Sequence, residues 1–351
     1  MSLIGKLQKN STIKDTDVLR ESKFFTAKDL VQTSVPMINV ALSGRLDGGL
    51  APGLTLFAGP SKHFKTAFAL MLAKSYMDKY EDAVVLFYDS EFGSPQSYFD
   101  SFGIDTSRVL HTPITDIEQL KHDSMAQLSQ IERGDHVMII VDSVGNLASK
   151  KEVDDALEGK SVADMTRAKQ MKSLFRMVTP HLNIKDIPMV VVNHTYKTQE
   201  MFSKDVVSGG TGIYYSADSI FIIGRQQEKD GQDLVGYNFI INVEKSRYVR
   251  EKSKIPVEVT FEGGISKWSG LLEVAQEGGF VVKPSNGWYS HKGDEKKYRA
   301  KDTYSKEFWL PILANKEFRE YIETTYRISH SSLTQDLGME DIDSEFEAAG
   351  A

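Results

Sequence analysis

The chain has 351 residues, 40% of them apolar and 10% aromatic, which suits one large α/β domain with small appendages. It holds no cysteine, so disulfides and thiolate metal sites are excluded, and a reducing, cytoplasmic setting is expected. No apolar run reaches the roughly 18 residues of a membrane span, and the polar stretch 1–10 does not read as a secretory leader.

Residues 1–35 read as a helix and a strand lying outside the core. From 36 to 265, apolar strands alternate with helical patterns, the signature of a mainly parallel sheet covered by helices. The expected strands are Leu54–Ala58, Val84–Tyr88, Val137–Val141, Met189–Val192, Ser219–Ile223, Tyr237–Val243 and Val257–Phe261. Several are continuous in Val, Ile and Phe, as strands buried on both faces should be. Helices are expected from about Lys65 to Tyr80 and from about Val162 to Val178. After Gly263-Gly264 the pattern shifts to shorter helices and a polar, aromatic-rich stretch, read as a C-terminal α/β lobe over 266–330.

Residues 331–351 form an acidic tail, expected to be disordered. The net charge is −7, and Asp336, Glu340, Asp341, Asp343, Glu345 and Glu347 supply six of the negative charges. Without them, 42 basic residues face 43 acidic ones. The tail is expected to compete for basic surfaces of the chain or to engage a basic partner.

Between the first strand and its helix lies Gly59-Pro60-Ser61-Lys62-His63-Phe64-Lys65-Thr66. Backbone N–H groups at a helix N-terminus hold phosphate oxygens there, a Lys reaches the β/γ-phosphates and a Ser/Thr hydroxyl faces Mg²⁺. Lys65 and Thr66 fit the last two roles, so ATP and Mg²⁺ are the expected cofactors. Phe64 departs from the usual G-x-x-x-x-G-K-[ST] pattern, which has Gly at that position. Asp142 closes an apolar strand and would hold Mg²⁺ through water. Glu91, in Asp89-Ser90-Glu91 after another strand, would orient the attacking water. Each acid alone has an ordinary structural reading; their convergence with the loop carries the signal. With eight His, no Cys and no ligand-spaced cluster, a resident metal enzyme is not expected.

Tyr88-Asp89-Ser90-Glu91, Val141-Asp142-Ser143-Val144, Asn193-His194 and Ser208-Gly209-Gly210-Thr211 follow one another in an order and spacing that resemble the RecA-type strand-exchange recombinases. Gly59-Pro60-Ser61-Lys62-x-Phe64-Lys65-Thr66, with Phe in the glycine position, and Ser143 through Lys151 resemble the T-even-type phage branch of that family. The resemblance spans nearly all of residues 20–330. It implies a RecA-like P-loop ATPase core, and ATP-dependent filaments on single-stranded DNA that pair with homologous duplex and exchange strands. Further implied partners are other copies of the chain, a loader or mediator and a single-strand-binding protein, with no membrane.

The resemblance also implies roles for single residues. Tyr98 would stack on adenine, although a core tyrosine is an equal reading. His194 would sense the γ-phosphate. Lys245 and Arg247 would act on a neighbouring subunit's ATP, the alternative being a solvated strand end or DNA contact. Two long loops, about 150–161 and 195–212, would bind DNA, with Arg167 and the Gly209-Gly210 amides on phosphates, Lys197 within the second loop and Met201 or Phe202 between bases. The run Trp288, Tyr289, Lys292, Lys296, Lys297, Arg299 and Lys301 suits duplex DNA or a plain solvated face. Residues 1–35, with Phe24-Phe25-Thr26-Ala27, would dock on an adjacent subunit. Two alternatives share the nucleotide site. One is a ring-helicase motor, disfavoured because only about 35 residues precede the core. The other is a DNA-binding mediator that lost hydrolysis through Phe64.

Overall fold

The structure is a computed structural model that describes residues 2–24, 27–160, 165–198 and 205–328. Phe25, Thr26, Met201, Phe202 and the acidic tail lie outside the described residues. In chain order the elements are α1 (Leu3–Asn10), α2 (Pro36–Ser43), β1 (Gly53–Ala58), α3 (Lys65–Lys79), β2 (Val84–Asp89), α4 (Gln96–Ser101), β3 (Val109–Pro113) and α5 (Ile117–Gln130). There follow β4 (Val137–Asp142), α6 (Lys150–Leu157), α7 (Thr166–Lys185), β5 (Pro188–Asn193), β6 (Thr195–Lys197), β7 (Asp205–Val207), α8 (Thr211–Ser216), β8 (Ser219–Asp230), β9 (Asp233–Ser246), β10 (Lys254–Thr260) and β11 (Gly264–Ile265). The C-terminal part holds α9 (Leu271–Glu277), β12 (Val281–Ser285), β13 (Trp288–His291), β14 (Tyr298–Arg299), α10 (Lys306–Ala314) and α11 (Lys316–Tyr326).

Nine strands form one sheet in the order β11-β10-β9-β8-β1-β5-β4-β2-β3. The six from β8 to β3 are parallel, and β9, β10 and β11 add an antiparallel flank. Side chains alternate between two buried clusters along each central strand. Phe57, Val85, Phe87, Met138 and Ile140 face one layer, and Leu56, Leu86, Tyr88, Ile139 and Val141 the other. Burial on both faces is what made these strands read as unbroken apolar runs.

Three local readings change. The loop expected at 150–161 is helical from Lys150 to Leu157, because Ser149 caps the turn, its Oγ accepting the Glu152 N–H at 3.1 Å. The helix expected to end near Val178 continues through Pro180 to Lys185. β8 and β9 outrun their expected lengths as a long hairpin, whose outer part in β8, residues 225–230, is a continuous polar and mostly exposed run.

The C-terminal part carries its own three-stranded sheet, yet Phe308, Trp309, Phe318 and Ile322 join the same buried cluster as α2 and β10. At the other end α1 buries no residue and leaves Leu3, Ile4 and Leu7 exposed. The segment after it is tied to the base of the sheet by Lys28–Asp186 and Lys79–Asp29 ion pairs and a Val31–Leu50 bridge. Among the described residues no helix is long and apolar enough to cross a membrane.

Candidate nucleotide and DNA site

The loop from Gly59 to Phe64 joins β1 to α3 at the C-terminal edge of the sheet, where ligands of such folds bind. A Cβ on Gly59 would stand 2.9 Å from the Ile223 carbonyl oxygen, so the loop passes too close to β8 for a side chain. Phe64 has φ 61°, the left-handed region that explains why glycine is usual there. Its ring stacks on Phe239 at 4.8 Å and meets Phe68 edge-on at 5.5 Å, holding the strained turn against the core. The departure at Phe64 is therefore a packed anchor, and it leaves the backbone of the turn intact.

Phe64→Ala is expected to destabilise the fold by about 2–4 kcal/mol, through lost packing with the left-handed cost retained. Phe64→Gly, which relieves that cost, should lose less. Denaturant midpoints of the two variants check the order; equal losses would show that the φ strain is immaterial.

Lys65 is buried, its Nζ donates to the Pro60 carbonyl at 2.8 Å, and burial pulls its ammonium below the usual lysine range. Thr66 Oγ1 donates to Asp142 Oδ2 at 2.7 Å. The other oxygen, Asp142 Oδ1, is buried without a partner. Burial pushes this carboxyl up to about 6, with Glu91 and Asp89 adding to the lift and Thr66 and Lys65 opposing it. An orphaned carboxylate oxygen beside a hydroxyl and an ammonium fits a divalent cation shared with a phosphate ligand. Among the described residues no group of three His, Cys, Asp or Glu could hold a metal ion. Mg²⁺ bound chiefly through substrate phosphates and waters needs no such cage.

Glu91 is the meeting point of three strand ends. Its Oε1 accepts from Ser143 Oγ at 2.6 Å, from Asn146 Nδ2 at 3.2 Å and from His194 Nε2 at 2.9 Å. The His194 hydrogen bond, with Ser143 and the Lys65 charge, holds its carboxyl below the usual range against the effect of burial. Sequence reasoning missed Asp89, which sets the turn: its Oδ1 accepts the Glu91 and Phe92 N–H groups at 3.0 and 2.8 Å, and its Oδ2 faces His111. It also missed Ser143, Asn146 and Gly145. A Cβ on Gly145 would lie 2.4 Å from His194 Cδ2. The D-x-E spacing at Asp89 and Glu91 was the one local signal for this turn.

His194 is also wired to the β6–β7 hairpin. Asn193 Nδ2 donates to the Ser208 carbonyl at 2.7 Å, and the Ser208 N–H donates to the His194 carbonyl at 2.9 Å. Lys197 ends β6, exposed. Gly209 and Gly210 have φ 95° and 79° and lead into α8.

Arg167 is not a solvent-facing cation: it donates to the Leu147, Gly145 and Val144 carbonyls at 2.7, 2.8 and 3.2 Å, bracing the turn after β4. Within this chain Lys245 caps the end of α8 through the Tyr214 and Ala217 carbonyls, both at 2.8 Å. Arg247 pairs with Asp218 at 2.8 Å, its side chain 63% exposed.

Tyr98, half-buried against Phe102, lines a groove of about 970 Å³ together with Phe64, Met71, Lys74, Val259 and Ile265. The groove thus adjoins the loop through Phe64. On the C-terminal sheet, Trp288 takes Arg299 over its ring at 5.1 Å and Tyr289 takes Lys283 at 5.9 Å.

Comparison with known proteins matches residues 23–266 to the RecA N-terminal domain and residues 268–322 to the C-terminal domain of the bacteriophage T4 recombination and repair protein. The chain is 54% identical over 336 residues to the "Recombination and repair protein" of Enterobacteria phage T4, covering 93% of this chain and 86% of that one. It is 27% identical over 267 residues to "Protein RecA" of Nocardioides sp., covering 74% of each chain. Similarity to "Protein RecA" of Kineococcus radiotolerans is also 27%, over 272 residues, 76% of this chain and 75% of that one. With both its core and its C-terminal part matched, the chain belongs to the RecA family of recombinases, on the branch of the phage T4 recombination and repair protein.

Proposed function

We propose that this recombinase is a Mg²⁺-dependent, DNA-stimulated ATPase whose ATP-bound form assembles as a helical filament on single-stranded DNA and exchanges that strand with a homologous duplex. The observation that carries the reading is the convergence of Lys65, Thr66 and Asp142 with a Glu91 carboxylate held by three donors. Lys65 and the N–H groups opening α3 hold phosphate oxygens, while Thr66 and Asp142 support Mg²⁺, whose charge would offset that of the phosphates. Glu91 orients water for attack, and His194 couples its position to the β6–β7 hairpin. Tyr98 stacks on the base.

Lys197, the residues 199–204 with Met201 and Phe202, and the Gly209-Gly210 amides line the DNA strand. Arg167 shapes the adjoining turn and contacts phosphate only with the N–H groups left over from its carbonyl bonds. Lys245 and Arg247 exchange their intrachain partners for the nucleotide of an adjacent subunit, which makes hydrolysis depend on assembly. Residues 1–35 dock on that neighbour, and the Trp288–Lys301 face receives duplex. Loader and single-strand-binding proteins complete the expected partners.

The test is the steady-state ATPase rate with and without single-stranded DNA, with Lys65→Ala as control. Stimulation abolished by the substitution supports the reading. A near-zero rate despite tight DNA binding would turn it into a non-hydrolysing mediator.

A further inference from the structure

The phosphate loop carries two non-glycine residues in the left-handed region, Lys62 and Phe64, both with φ 61°. Such strain persists only where neighbouring groups over-determine the conformation. The Phe64 ring is held on Phe239 of β9, and the Lys62 carbonyl accepts from Arg225 Nη1 of β8 at 3.2 Å. One hairpin therefore grips both strained residues. Arg225 is itself placed by that hairpin: its guanidinium lies over the Tyr237 ring at 4.8 Å, and Tyr237 meets Phe239 at 5.9 Å.

Three successive carbonyls of the loop are held by side chains. Pro60 accepts from Lys65 Nζ at 2.8 Å, Ser61 from His63 Nδ1 at 2.9 Å, and Lys62 from Arg225. The first two donors belong to the loop and its helix, whereas the third comes from 163 residues further along the chain. In a trans peptide the C=O and the next residue's N–H share one plane and point opposite ways. Holding the Lys62 carbonyl thus fixes the direction of the His63 N–H, away from Arg225. Successive N–H groups around left-handed residues are the donors that line anion-binding concavities.

We propose that Arg225 is a positioning residue of the phosphate loop, which aims the His63 N–H at the polyphosphate of the nucleotide by holding the Lys62 carbonyl. The proposal rests on the reading of this loop as the nucleotide site. The geometry favours positioning over direct contact with phosphate. The guanidinium sits on the carbonyl side of the Lys62–His63 peptide, and the donor side faces away from it.

The test titrates the full chain, without DNA, with MgATP and with tripolyphosphate, by calorimetry. Tripolyphosphate has no base and leaves the Tyr98 groove out of the measurement. Arg225→Ala is expected to weaken binding of both by about tenfold. The side chain is exposed, so the melting temperature should stay at the parent's. Arg225→Lys retains a donor for the carbonyl and a cation for Tyr237, and should recover most of the loss. In the nucleotide-free chain labelled with ¹⁵N-histidine, Arg225→Ala should shift the His63 amide resonance, identified by its loss in His63→Gln. Parent-like affinity in Arg225→Ala, or no recovery in Arg225→Lys, would overturn the proposal. So would weaker binding with the His63 amide unmoved, which would make the guanidinium a direct phosphate ligand. Failure of the underlying reading looks different: the parent chain would bind neither ligand, or Lys65→Ala would bind both as tightly as the parent.

Discussion

Glu91→Gln is expected to lower DNA-stimulated ATP hydrolysis by about 10²–10⁴-fold while nucleotide binding stays close to that of the parent chain. The substitution is nearly isosteric, and an amide oxygen can take the place of Oε1 under the Ser143, Asn146 and His194 donors. What is lost is the negative charge proposed to orient and polarise water. Because the ATP-bound form is the one proposed to assemble on single strands, the variant should also persist longer on them. Phosphate release beside fluorescent-nucleotide binding separates the two effects. Hydrolysis at the parent rate would place the water-orienting group elsewhere.

Asp142→Asn is expected to stabilise the metal-free protein while abolishing Mg²⁺-dependent hydrolysis. A buried carboxyl lifted from 3.8 to about 6 penalises the folded state once ionised, by up to about 3 kcal/mol. The sign follows from linkage. Between about pH 4 and 6 the folded chain holds this proton more tightly than the unfolded chain, so its contribution to stability falls as pH rises. Below about pH 4 both states are protonated and the penalty vanishes. The gain of the variant over the parent chain should therefore be full above about pH 6 and absent below about pH 4. Denaturant midpoints in chelator across that range, read as a difference between the two proteins, measure it. A variant less stable than the parent above pH 6 would show that the Thr66 hydrogen bond outweighs the buried charge. Such a carboxylate, costly when empty, is what a metal-supporting group is expected to be.

The central strands were legible because burial on both faces leaves little room for polar residues, and the phosphate loop because its residues are contiguous. Edge strand β3 was not legible: its exposed positions, Leu110 and His111 among them, break the apolar run that marked the others. Helix α6 carries a readable cap in Ser149-x-x-Glu152, masked by a polar composition that equally suits a binding loop. Arg167 read as a phosphate contact because an arginine shows its charge in a sequence and hides its partners; three carbonyls around one turn occupy it. Phe64 was ambiguous until its φ and its stacking on Phe239, far along the chain, were known.

The sequence by itself determined the family and the parallel core, and pointed to Lys65, Thr66, Asp142 and Glu91 as candidates, since each rests on a short run whose local backbone role is encoded in place. Only the tertiary structure decided that Ser143, Asn146 and His194 converge on one oxygen of Glu91, that Asp142 keeps an unpaired oxygen beside Thr66, and that Arg225 reaches the Lys62 carbonyl. Those relations depend on which strand ends the sheet order brings side by side. Chain reversal over tens to hundreds of residues sets that order, and no local pattern records it.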